Sequence, residues 1–310
     1  TLTPLDREES DTRIAYRHVT VDLDRAARTA TLTVAAPNTP VPADAAAAQS
    51  EGAAFWPLAV TRELDDAILH LRTNENTLGT WVIKTAGDAD AVLAHDAFLT
   101  AHADHWFVNE VRHYLKRTLK RLDVTSRTLI ALIEPGSCFA GPLLELALAA
   151  DRQYMLDGTF EDDPDAAPAE LRLSEANFGT YPMGNGLTRL QSRFHGDPQH
   201  AAALDKRTGE PLLAADALEA GLVTFAPDDI DYEDEVRLVL EERAALSPDA
   251  LTGMEANHRF TGPETPETKI FGRLSAWQNW IFNRPNAAGP EGALRRYGTG
   301  QRADFDTERV

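Results

Sequence analysis

Apolar and polar residues alternate from Val19 to Leu23 and again from Thr29 to Val34. A period of two turns one face of each segment toward a core, so the pair reads as a half-buried hairpin. From Trp56 to Arg72 the spacing changes. Val60, Leu64, Ile68 and Leu71 fall on one helical face. The compact runs Thr80–Thr85 and Thr128–Ile133 predict buried strands. Between them the pattern predicts a loop from Gly87 to His95 and one long helix from Phe98 to Leu122, its apolar face running through Phe107, Val111, Leu115, Leu119 and Leu122. Further strands are expected at Gln153–Leu156, Leu171–Ser174 and Leu222–Ala226. Short helices fit Leu187–Phe194, Pro198–Leu204 and Ala214–Ala220, and the chain is mostly helical from Tyr232 onward. Thr1 to Thr12 reads as a linker. Ala35 to Ala54, rich in Pro, Ala and Asp, reads as a loop with a helical turn, and the acidic stretch Asp157–Glu170 as an exposed insertion. Strands alternating with helices indicate an α/β fold.

One segment combines these signals in a way that suggests chemistry. The strand Thr128–Ile133 runs into a small-residue loop, Glu134-Pro135-Gly136-Ser137-Cys138-Phe139-Ala140-Gly141, and then a helix carrying Glu145. Backbone N–H groups and the positive end of a helix dipole meet at such a junction. They can stabilise an oxyanion, and a carboxylate one turn into the helix can serve as acid or base beside it. Glu145 could equally be an acidic residue that only offsets the dipole.

Composition narrows the classes. A length of 310 residues allows one large domain or two. A net charge of −19 argues against a nucleic-acid binder and against attraction to an anionic membrane, although local basic residues can still hold an anionic ligand. The single cysteine, Cys138, excludes an intrachain disulfide and fits a reducing cytoplasm. No apolar run reaches transmembrane length. A start at Thr with no signal-peptide pattern suggests a processed product or a piece of a longer polypeptide.

Three segments in one order carry a family resemblance: Trp81-Val82-Ile83-Lys84-Thr85 with Leu93-Ala94-His95-Asp96, then Gly136 to Asp151, then Ser174-Glu175-Ala176-Asn177-Phe178-Gly179 to Leu190. Thr208-Gly209-Glu210-Pro211 and Ala217 to Val223 continue it. The chain resembles the crotonase (enoyl-CoA hydratase/isomerase) superfamily over roughly residues 15 to 245. The resemblance implies a crotonase-like ββα spiral with a C-terminal helical region. The division expected is a linker at residues 1–14, the core at 15–247, and a helical assembly region at 248–310. The C-terminal stretches Leu251–Thr265 and Phe271–Ala287, with Glu134–Gly141, are similar to a subgroup that opens the ring of 2,3-epoxybenzoyl-CoA. That reaction gives a semialdehyde-CoA and formate, in aerobic benzoate degradation through CoA thioesters. Chains of that subgroup are longer and carry another crotonase-like region first. The implied partners are thus an acyl-CoA substrate and either further copies of the chain or such an upstream region, with no nucleic acid and no membrane. An ordinary enoyl-CoA hydratase or isomerase, or a catalytically degraded module supporting an active region, are the alternatives.

By the same resemblance Glu145 and Glu175 are the catalytic carboxylates, one able to act as acid while the other acts as base. The oxyanion donors are the backbone N–H groups of His95 and Gly141. The second donor's usual position is Pro142, which has no N–H, so either Gly141 supplies it in a shifted register or the hole is broken. Ala94 also replaces the family's glycine. Cys138 would line the site and reads better as a small buried residue than as a nucleophile. No cofactor is expected beyond the CoA of the substrate, and no metal: His102, His105 and His113 lack an acidic or Cys partner. Arg152, Arg189, Arg193, Arg295 and Arg296 are the candidates for CoA phosphates.

Overall fold

The computed structural model describes residues 2–309. Thr1 and Val310, the outermost residues of the expected linker and helical region, lie outside them. Seven strands form one sheet in chain order: β1 (Glu8–Glu9), β2 (Arg13–Ala15), β3 (Val19–Asp24), β4 (Thr29–Ala35), β5 (Thr80–Ala86), β6 (Thr128–Ile133) and β7 (Arg152–Met155). The first four pair antiparallel, and β4 through β7 pair parallel. Parallel neighbours need crossovers. These are α1 (Ala45–Glu51) with α2 (Trp56–Asn74), then α3 (Ala89–Ala101) with α4 (Trp106–Asp123), then α5 (Gly141–Ala149). Beyond the sheet come α6 (Arg189–Arg193), α7 (Pro198–Ala203), α8 (Ala214–Glu219), α9 (Tyr232–Ala245), α10 (Pro248–Arg259) and α11 (Ser275–Phe282).

Alternation along the strands builds two cores. Trp81 and Ile83 of β5, with Leu129, Ala131 and Ile133 of β6, join Leu64, Ile68, Leu71 and Leu144 of α2 and α5. The intervening residues Val82, Ile130 and Leu132 face the other way and pack with Tyr154, Tyr232 and Val239. α9 therefore covers the second face of the sheet, which is why β6 is buried at all six positions. At the C-terminus α11 lies close on α10. A side-chain carbon added at Gly253 would come within 3.0 Å of Ile281, so glycine is what admits the contact.

The structure corrects several expected elements. Gly87–His95 is not a loop, because α3 starts at Ala89. Asp88 caps it by accepting from the Asp90 N–H at 2.8 Å, and the alanine-rich segment that follows buries Ala89, Val92 and Leu99. The single helix Phe98–Leu122 is two. A tight turn at 102–105 ends α3, with the His102 ring against Phe98 at 4.4 Å and the His105 N–H donating to the His102 carbonyl. Leu171–Ser174 and Leu222–Ala226 form only isolated bridges, to Leu212, Ala140 and Tyr154, and are not strands. The expected linker contributes β1 and β2, with Ile14 fully buried.

Candidate active site

α5 is buried along its whole length, and Glu145 is its one charged residue. Each carboxylate oxygen has a fixed donor. Asn177 Nδ2 donates to Oε1 at 2.7 Å, and Arg189 Nη1 donates to Oε2 at 2.8 Å. The same guanidinium grips Asp123, at the end of α4, with Nε and Nη2 at 2.9–3.1 Å. All three side chains are sealed from solvent. Burial pushes the Glu145 carboxyl above its usual range, with Arg189 pulling the other way, and the two carboxylates hold Arg189 firmly protonated. Asn177 completes the tie: Nδ2 also donates to the Gly141 carbonyl, and Oδ1 accepts the Ser174 N–H.

Glu175 is elsewhere in character. It opens a short 3₁₀ turn, Glu175–Phe178, capped by Ser174, and its side chain is exposed, with no hydrogen bond or ion pair among the described residues. The two glutamates thus differ in exposure, although Glu175 is near enough to raise the Asp96 carboxyl electrostatically. One is an internal ion-pair partner and the other a surface carboxylate.

The expected oxyanion donors are both occupied. His95 is the seventh residue of α3, where a backbone N–H donates along the helix. Its ring is buried, bonded through Nδ1 to the Ala91 carbonyl and packed edge-on against Trp56. The Gly141 N–H donates to the Arg172 carbonyl at 3.0 Å. Gly141 has φ +47, and an added side-chain carbon would meet Asp96 Oδ2 and Ser174 Oγ, both at 3.1 Å. This is one position where only glycine fits. Cys138 is fully buried, its N–H on Thr85 Oγ1, and burial pushes its thiol up to about 11. It packs and does not attack.

Sequence reasoning missed Asp96. It is buried beside Gly141, hydrogen-bonded to Ser174, and burial raises its carboxyl. The Tyr181 hydroxyl, also buried, has no hydrogen-bond partner among the described residues. Asp96 lies at the rim of a very small apolar cavity closed by Trp56, Pro57, Val60, Leu143 and Pro142. A carboxyl raised in the folded state favours folding below its unfolded pKa, and that contribution is lost as pH rises through the folded value. Asp96→Asn is therefore expected to compare more favourably with the parent at pH 7 than at pH 4 in denaturant titrations. A pH-independent difference would mean that the carboxyl is not protonated by its surroundings.

Of the five arginines proposed for CoA phosphates, Arg152, Arg189 and Arg193 line one cavity at the opposite end of α5. Arg189 is spent on carboxylates. Arg295 and Arg296 lie apart in the C-terminal region, Arg296 being paired with Glu291. Among the described residues no group of three or more His, Cys, Asp or Glu side chains is placed to hold a metal ion. No helix among them is long and apolar enough to cross a membrane.

The parallel β4–β7 with their crossover helices, and the glycine at the start of α5, define the class. The architecture matches an enoyl-CoA hydratase/isomerase from Cupriavidus metallidurans, with a TM-score of 0.64 at 17% identity over 96% of each chain. It matches an enoyl-CoA hydratase from Bacillus anthracis with a TM-score of 0.62 at 18% identity, over 94% of this chain and 100% of that one. The chain is a crotonase-fold protein. In sequence it is 54% identical over 309 residues to the benzoyl-CoA-dihydrodiol lyase of Aromatoleum evansii. The match takes in 100% of this chain and 55% of that protein, so the chain spans about half the length of that relative. No protein-family profile matches it.

Proposed function

We propose that this chain is part of a ring-cleaving lyase acting on 2,3-epoxybenzoyl-CoA, the epoxidised ring being opened with two waters to a semialdehyde-CoA and formate. The observation that carries this is the 54% identity sustained along the entire chain to a benzoyl-CoA-dihydrodiol lyase. CoA enters as part of the substrate and no other cofactor is required. The enzyme works in the cytoplasm, as an oligomer or with a second crotonase-like region in a longer chain.

Within that enzyme the geometry supports a division of labour, in which this region stabilises and assembles while ring opening is carried by the rest of the protein. A general base must reach the proton it takes. Glu145 has a donor on each oxygen and is almost wholly buried. An oxyanion hole needs free N–H groups, and those of His95 and Gly141 are engaged.

Glu145→Gln in the full-length enzyme separates the two roles. If this region only supports, ring cleavage followed as formate release keeps its kcat within about threefold, because general acid–base catalysis contributes on the order of 10²–10⁴-fold and none of it is lost. A fall of two orders of magnitude with an unchanged melting temperature would restore Glu145 to the chemistry. Absence of formate from the unaltered enzyme would instead sink the lyase reading itself.

A further inference from the structure

A cavity of about 560 Å³ opens at the C-terminal end of α5, between α6, the segment 194–196 and α10. At 1.5 Å per residue it lies roughly 12 Å along the helix from Gly141. It thus opens at the end of α5 opposite Gly141, and reaches Glu145 only through Arg189 in its wall. Its walls carry Arg152, Arg193, Arg243, His195 and His258, in a protein whose net charge is −19.

The carboxylates in this cavity are already committed. Asp123 is held by Arg189, Asp151 by Arg259, and Glu255 by Arg309. The helix-end carbonyls that would also attract these cations are taken. Gln153 Nε2 donates to the carbonyls of Ala147 and Ala150, and Arg273 donates to those of Phe260 and Asn257.

What remains unmatched is positive. Arg193 is largely buried, bonded only to the Gly221 carbonyl and the neutral Gln153 Oε1, and no carboxylate pairs with it. Burial alone draws its guanidinium down to about 10, a cost that an anion would offset. Arg243 makes no hydrogen bond or ion pair among the described residues, and its Nε is buried without a partner. Arg152 reaches only an exposed carboxylate, Glu242, at 3.8 Å. Planar guanidinium donors with no carboxylate to grip suit phosphate oxygens.

We propose that this cavity is a binding site for a phosphate-bearing anion of up to nucleotide size, held by Arg193 and Arg243 with Arg152 at the mouth. The site is independent of the ring-cleaving reaction.

Calorimetric titration of the protein at low salt with pyrophosphate, and separately with adenosine 3′,5′-bisphosphate, tests it. One site per chain is expected. Arg243→Gln, which removes a half-exposed side chain without a partner and so leaves the fold intact, should weaken binding about tenfold, as loss of one charge-assisted hydrogen bond does. Arg193→Gln should weaken it at least as much. Tighter binding of the bisphosphate than of pyrophosphate would mark a nucleotide moiety as the natural ligand. Equal binding would mark the phosphate group alone. No binding of either anion, or an affinity unchanged in Arg243→Gln and in Arg152→Gln, would overturn the proposal.

Discussion

Replacing Arg189 with methionine is expected to destabilise the fold by about 3–5 kcal/mol, since it leaves buried charges unpaired. Arg189 stands between Asp123 and Glu145, and with it gone two carboxylates lie together out of reach of water. It also donates to the carbonyls of Leu119 and Tyr181, tying the turn before α6 to α4. For a domain of 150–250 residues each kcal/mol moves the melting temperature by about 2–4 °C, so a fall on the order of 10 °C is expected. Lysine at this position should recover little, because an ammonium cannot fork to two carboxylates. Removing one acid is different. Glu145→Gln leaves Arg189 with Asp123 in a neutral pair, and the stability loss should stay near the ~1 kcal/mol of a single hydrogen bond. Thermal or urea denaturation of the three variants checks the order. A cost below about 1 kcal/mol for Arg189→Met would show that the network does not hold the fold, given that broken buried pairs cost several times that.

Arg259→Met should be comparably severe, and for a reason that concerns how the C-terminal region attaches. Arg259 is the last residue of α10. Its Nε donates to Asp151 Oδ1 at 2.8 Å, Nη2 reaches Asp151 Oδ2 and the Arg127 carbonyl, and Nη1 reaches the Thr125 carbonyl. Asp151 in turn accepts the N–H of Leu129, the second residue of β6. One side chain thus ties α10 to the edge of two parallel strands. A second tie runs from Arg309 to Glu255, Thr128 and the Gly79 carbonyl. Loss of Arg259 orphans one carboxylate and two carbonyls, and about 3–4 kcal/mol is expected from the desolvation of groups left unpaired. Limited proteolysis supplies the local readout. Cleavage within residues 246–262 should accelerate well before the sheet becomes sensitive. Simultaneous loss of both regions would mean that α10 belongs to the same cooperative unit as the sheet.

Both expectations concern residues that the sequence singled out poorly. Arg189 is legible only as one of five scattered arginines, and Asp123 lies one residue past the expected helix end at Leu122. Arg189 meets Glu145 across 44 residues of chain and Asp123 across 66. Asp96 stands inside a recognisable segment, yet its burial depends on α3 beginning at Ala89 and on Gly141 turning to φ +47 beside it. The family order of segments was readable because each is local. The state of the site was not, because Pro142 and Ala94 remove familiar features without stating what replaces them.

The sequence by itself determined strands β3 to β7 of the sheet, the amphipathic faces of α2 and α4, the strand–loop–helix at Glu145 and the crotonase-like succession of segments. Alternation and helical spacing act over five to twenty residues, so burial on one side leaves a pattern in the chain itself. The tertiary structure alone decided that Glu145 is an ion-pair partner and that Glu175 faces solvent. It also decided that both expected oxyanion donors are engaged and that unpaired arginines converge at the far end of α5. Charge pairing and desolvation act through space over a few ångströms, between groups whose separation along the chain carries no signal.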